Sequence, residues 1–247
     1  MSDNKPPART PGKEQPAVRP SGSAAIDAFV RQARALATPG GGADGGRLIL
    51  ALDATMSRQP TWDLACDLQG EMFDAVARAG GLNVQLVYFR GLGECRASRF
   101  VRETAALKEL MTKIDCRGGH TQIGKVLTHA LKENERGRVN AVVYIGDAME
   151  ENVDDLAHKA GELGLRGVPV FAFQEGHDPL AEAAFKEIGR LSKGAWFRFD
   201  RNAADVLSKL LSAVAVFASG GIKALEARGR AEDRLMIENL RKSGGRG

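Results

Sequence analysis

Cysteine is scarce in this chain of 247 residues: Cys66, Cys95 and Cys116 make an odd number and form no CxxC pair. Their spacing excludes a disulfide framework and a structural zinc site, and it fits a reducing compartment. No stretch approaches the roughly eighteen apolar residues of a membrane span, and the opening MSDNKPPARTPGKEQP lacks the apolar core of a secretory signal. A cytoplasmic protein with no membrane association is the expectation. Internal repeats are missing too. So are the long Lys/Arg runs and interleaved aromatics of a dedicated nucleic-acid binder, so nucleic acid is not the expected partner.

Hydrophobic residues make up 43% of the chain and charged ones 27%, the balance of a globular protein able to bury a sizeable core. The formal net charge of +4 sits at the ends. Lys5, Arg9, Lys13 and Arg19 face only Asp3 and Glu14 in the first twenty residues, and residues 221–247 carry seven basic against four acidic side chains. Residues 1–22 are too poor in large apolar side chains to offset the entropy of ordering and read as a disordered tail. Residues 23–45 read as a short helix, with Ile26, Phe29, Val30, Ala33 and Leu36 at helical spacing, followed by the glycine-rich joint PGGGADGG. The main domain is expected over 46–219, with a basic, partly helical tail over 220–247.

Within that domain strands and helices alternate. Strands are expected at 48–52, 83–89, 139–146, 168–173 and 195–199, with a weaker edge strand at 94–100. Helices are expected at 61–79, near 104–114, and at 122–134, 153–165, 181–191 and 203–219. Such alternation specifies an α/β fold, a mainly parallel sheet covered on both faces.

In an open parallel sheet ligands gather where strands end, so the loops after the apolar runs carry the chemistry. The first strand ends in Asp53-Ala54-Thr55-Met56-Ser57, a carboxylate and two hydroxyls at alternate positions that an extended loop can turn to one side. A second loop, CRGGHTQIG, brings Gly118 and Gly119 up to Thr121, and a third runs Gly146-Asp147-Ala148-Met149-Glu150-Glu151. Each alone reads as a helix cap or a glycine-rich turn. Together they offer only oxygen ligands, without the Cys or His spacing that zinc or copper prefers, which points to magnesium, or manganese in its place.

These three segments, in this order, resemble the von Willebrand factor type A (VWA) domains that carry a metal-ion-dependent adhesion site (MIDAS). The resemblance spans about residues 46–218: the DxSxS motif looks like Asp53, Thr55 and Ser57, the isolated threonine like Thr121, and the later aspartate like Asp147. It implies a doubly wound six-stranded sheet of order 3-2-1-4-5-6 with one antiparallel edge strand. It further implies that Thr55, Ser57 and Thr121 bind the ion directly, that Asp53 and Asp147 act through water, and that an Asp or Glu carboxylate of a protein partner takes the last position. Relatives inside bacterial cells often work beside ATPases or in stress-response complexes, which implies an adaptor or assembly role. The chain departs from the pattern at Thr55, which replaces a serine, at His120, which sits between the glycine pair and Thr121, and at Ala148, which replaces a glycine.

Two enzymatic readings compete. GHTQIGKV falls one residue short of a phosphate-binding loop, because Val126 stands where a Ser or Thr should hold magnesium. A magnesium-dependent hydrolase would need Glu150 or Glu151 as base and His120 as acid, but no nucleophile-plus-base pair accompanies them. A scaffold whose site no longer binds metal is the third alternative.

Overall fold

A computed structural model describes residues 46–61, 82–102, 109, 111, 113–199 and 204–228. The expected tail, short helix and joint over 1–45, nearly all of the helix at 61–79, most of that near 104–114 and the end of the C-terminal tail lie outside the described residues.

Six strands form one sheet: β1 (Gly46–Asp53), β2 (Leu82–Arg90), β3 (Glu94–Ala97), β4 (Ala141–Gly146), β5 (Val170–Glu175) and β6 (Ala195–Phe199). Their order is β3-β2-β1-β4-β5-β6, with β3 antiparallel to β2 and every other pairing parallel. This is the expected doubly wound order. A short 3-10 helix (Met56–Thr61) follows β1, and four α-helices complete the described fold: α1 (Ile123–Arg136), α2 (Val153–Leu165), α3 (Pro179–Leu191) and α4 (Ala204–Arg228).

The continuous apolar run of β1 follows from burial on both faces. Leu48, Leu50 and Leu52 pack with Val214 and Phe217 of α4, whereas Ile49 and Ala51 pack with Ile123 and Leu127 of α1, Leu156 of α2 and Phe185 of α3. Asp53 extends the second alternation, so the side chain that follows Ile49 and Ala51 on that face is a carboxylate.

Most described boundaries fall within two residues of expectation, and two differ by more. The edge strand stops at Ala97 because Ser98 takes over the pairing: its hydroxyl accepts from Leu86 N at 3.0 Å, while its own N–H donates to the Leu86 carbonyl at 2.8 Å. At the other end of the chain, the last helix runs past the end expected at 219, through Gly220 and Gly221 to Arg228, into the partly helical tail. It is not straight. Arg228 Nη1 donates to Ser212 Oγ at 2.7 Å, although sixteen residues of straight helix span about 24 Å. The run therefore folds back on itself, and the glycine pair is where side chains obstruct that least.

Candidate metal centre

The strand order reverses between β1 and β4, which lie side by side with Leu52 opposite Ile145. Asp53 and Asp147 follow directly, at the crevice where such sheets hold ligands.

Asp53 is fully buried, and its Oδ1 accepts from Thr55 N at 2.8 Å, turning the chain over the strand end. That turn brings the alternate hydroxyls together: Thr55 Oγ1 and Ser57 Oγ are 3.1 Å apart. Arg117 N donates to the Ala54 carbonyl at 3.0 Å, so a backbone bridge ties the first loop to the second.

In the second loop Gly119 lies against backbone. A Cβ there would fall 2.0 Å from the Gly91 carbonyl oxygen, in the turn joining β2 to β3, so this glycine serves packing between loops. Gln122 supports the same contact by donating to the Arg90 carbonyl at 3.3 Å. Thr121 is buried, yet it is not the N-cap of α1, a position that Gln122 occupies without a side-chain bond. Its hydroxyl accepts from Glu150 N at 3.1 Å, and its own N–H donates to Glu150 Oε2 at 3.1 Å. The second and third loops are thus joined through Glu150.

Glu151 completes the join. Its carboxylate accepts from Ile123 N at 2.5 Å and Gly124 N at 2.9 Å, filling the role of the missing cap at the positive end of α1. The two glutamates stand just ahead of α2, but they serve the second loop and α1, while Asn152 caps α2 through Asp154 N and Asp155 N. His120 is exposed, with Nδ1 3.0 Å from Glu150 Oε2.

Burial pushes the Asp53 carboxyl up to about 6, against the opposing pull of its Thr55 hydrogen bonds; the negative Asp147 raises it further, and the positive Arg58 lowers it. Asp53 Oδ2 and Asp147 Oδ1 are both buried without a hydrogen-bond partner. Beneath them the Tyr144 hydroxyl is likewise buried and unpaired, and burial together with Asp53, Glu151 and Asp147 holds its phenol well above the ordinary value. Among the described residues no group of three or more His, Cys, Asp or Glu side chains is arranged to hold an ion, so a cation here would depend on hydroxyl oxygens. The donor set of two hydroxyls in contact, a third on the loop that the Arg117 bridge ties to them and two unpaired carboxylate oxygens fits a hard divalent ion.

No protein-family profile and no curated protein matches the sequence. Solved structures do match in shape. The VWA domain of SpRpn10 aligns with a TM-score of 0.55 at 13% identity, covering 68% of this chain and 94% of that one. The von Willebrand factor type A protein of Catenulispora acidiphila aligns at 0.50 and 15%, covering 70% and 42%. The pilus adhesin SpaC of Lactobacillus rhamnosus GG, in its open conformation, aligns at 0.56 and 11%, covering 72% and 30%. The fold is that of a VWA domain.

Within this VWA-type fold, sequence reasoning singled out Asp53, Thr55, Ser57, Thr121 and Asp147 but passed over three neighbours. Arg58 is 1% exposed and pairs with Glu175 Oε2 at 2.9 Å. Tyr144, in the middle of an apolar strand, reads as core. Glu175 reads as the polar end of a strand. Only the register that sets β1, β4 and β5 side by side puts the three in one place.

Proposed function

We propose that this VWA-type domain is a divalent-metal-dependent protein-binding module. The observation that carries the reading is the pair of buried, unpartnered oxygens, Asp53 Oδ2 and Asp147 Oδ1, at the β1–β4 crevice. Leaving one buried acceptor unsatisfied costs roughly 1–3 kcal/mol, more for a charged group, and a single cation offsets both. Thr55, Ser57 and Thr121 would hold magnesium or manganese directly, with Asp53 and Asp147 acting through water. Neutral direct ligands leave the ion electrophilic, so it supplies a site for an Asp or Glu carboxylate of the partner.

A protein partner is supported by where apolar surface is exposed. Of the five exposed large hydrophobic side chains among the described residues, Met56, Leu92, Val153 and Leu180 all follow the carboxyl ends of strands, on the face that holds the site. Apolar side chains exposed on the same end as a polar centre suit protein docking. The adhesin among the similar structures is consistent with this use of the fold. The setting we propose is cytoplasmic, as an adaptor or assembly factor acting beside an ATPase or in a stress-response complex; Cys95 and Cys116 are free thiols, as a reducing compartment allows. Both oxygens of Glu151 accept from backbone N–H groups and Glu150 Oε2 accepts from Thr121 N, which favours a structural use of these glutamates over hydrolysis.

The test is calorimetric titration of Mn²⁺ into wild type and Asp53→Ala, followed by capture of partners on each in magnesium and in EDTA. Wild type should bind one ion and the variant at least about tenfold more weakly, with a partner held only by wild type in magnesium. Absence of Mn²⁺ binding by wild type would defeat the reading. A partner held equally in EDTA would leave a metal-independent scaffold.

A further inference from the structure

Arg58 is the largest side chain that the described fold buries completely, and it stands immediately after Ser57 in the first loop. Desolvating a guanidinium is costly, and a turn needs no charge, so its burial calls for a specific electrostatic reason. The structure supplies one. Its Nη1 lies 2.9 Å from Glu175 Oε2 at the end of β5, and β4, which leads to Asp147, runs between β1 and β5. The guanidinium therefore reaches from the first loop across the end of β4, and its charge acts on both Asp53 and Tyr144. Glu175 is thus ion-paired with the buried guanidinium, Asp53 lies within reach of its charge, and Asp147 acts in turn on Asp53.

We infer that Arg58 is the resident counter-ion of this site, holding the strand-end carboxylates together when no metal is bound. With Asp53, Asp147 and Glu175 ionised, these carboxylates and Arg58 carry a net charge of minus two, which a divalent ion neutralises without displacing Arg58. The metal-free domain accordingly stays folded with its ligands in place, and replacing Arg58 by a neutral side chain makes its stability depend on metal. This last consequence rests on the proposed metal binding; the coupling of Arg58 to Asp53 does not.

The experiment is thermal unfolding of the full chain in EDTA and in saturating Mg²⁺ for wild type, Arg58→Met, Arg58→Lys, Asp53→Asn and the Asp53→Asn/Arg58→Met pair. In EDTA, Arg58→Met should lower the melting temperature by about 5–10 °C, Arg58→Lys by less than half as much, and Mg²⁺ should restore most of the loss. Starting from Asp53→Asn, the same Met substitution should cost clearly less, because one of the charges it strands is gone. If Arg58→Met does not fold in EDTA, the double variant should. An equal loss in both backgrounds, or failure of both variants to fold, would reduce Arg58 to a packing residue and overturn the inference. Because the double-mutant comparison is made in EDTA, a wild type that binds no Mn²⁺ would sink the metal-binding reading and leave this one standing or falling by itself.

Discussion

Asp53 is held between opposed demands: the strand end buries it, and the turn that Thr55 makes around it requires an acceptor. Its carboxyl is raised in the fold to about 6 from 3.8, so the folded protein binds this proton more tightly than the unfolded chain does. The sign follows. In chelator the stabilisation from this group is fully present below about pH 4, is lost as pH rises to about 6, and stays lost above that, a difference of roughly 3 kcal/mol. Denaturant unfolding between pH 4 and 7.5 in EDTA should show this slope in wild type and not in Asp53→Asn. Metal needs the ionised form, so Mn²⁺ affinity should rise over the same interval and level off above it. At this scale the sequence is half legible. An Asp, a Thr and a Ser at alternate positions after an apolar run announce a polar site, because alternation is a property of the chain itself. Arg58 gives no such signal: an arginine in a loop ordinarily reaches water, whereas this one is buried and meets Glu175, 117 positions later.

Helices and strands are legible where burial is uniform along them. The apolar runs of β1 and β4 and the amphipathic spacing of α1, α2 and α3 specify those elements to within a few residues. Their ends depend on neighbours. The cap of α1 comes from Glu151, twenty-eight positions downstream of Ile123, across the gap between two loops. Glu151→Ala strips two backbone donors of their partner and should destabilise the domain by about 1–2 kcal/mol, read as a shift in the denaturant midpoint; Glu151→Gln, which keeps an acceptor, should lose less. Because α1 begins two residues after Thr121, the alanine variant should also weaken Mn²⁺ binding. The glycines show the same limit. Gly118 and Gly119 are visible as a pair, but that Gly119 faces the backbone of Gly91 is a fact of packing between loops. Gly220 and Gly221 mark a break in sequence terms, whereas the bond between Arg228 and Ser212 shows a helix folded back.

The described fold is polarised along its strands. One end carries the candidate site and four exposed apolar tips; among the described residues, only Leu165 is a large hydrophobic comparably exposed at the other. Strand order and layer arrangement follow the resemblance read from three short motifs, but the placing of these apolar tips at one end does not, since each is a separate hydrophobic residue in a loop or at the start of a helix. If the tips meet the partner, Met56→Ser with Leu92→Ser should lower partner affinity about tenfold or more while leaving Mn²⁺ affinity unchanged. Leu165→Ser should change neither, and surface plasmon resonance with the captured partner would separate the three. One further property of the whole chain comes from what lies under the site. The protein has two tyrosines, Tyr88 and Tyr144. Tyr88, on β2, bonds Glu94 at 3.2 Å, whereas the Tyr144 hydroxyl is sealed beneath Asp53 and Asp147. Fluorine placed on tyrosine would therefore give two resonances, one from the second strand and one from the floor of the crevice, so the chain already holds a single-site spectroscopic probe and its internal reference.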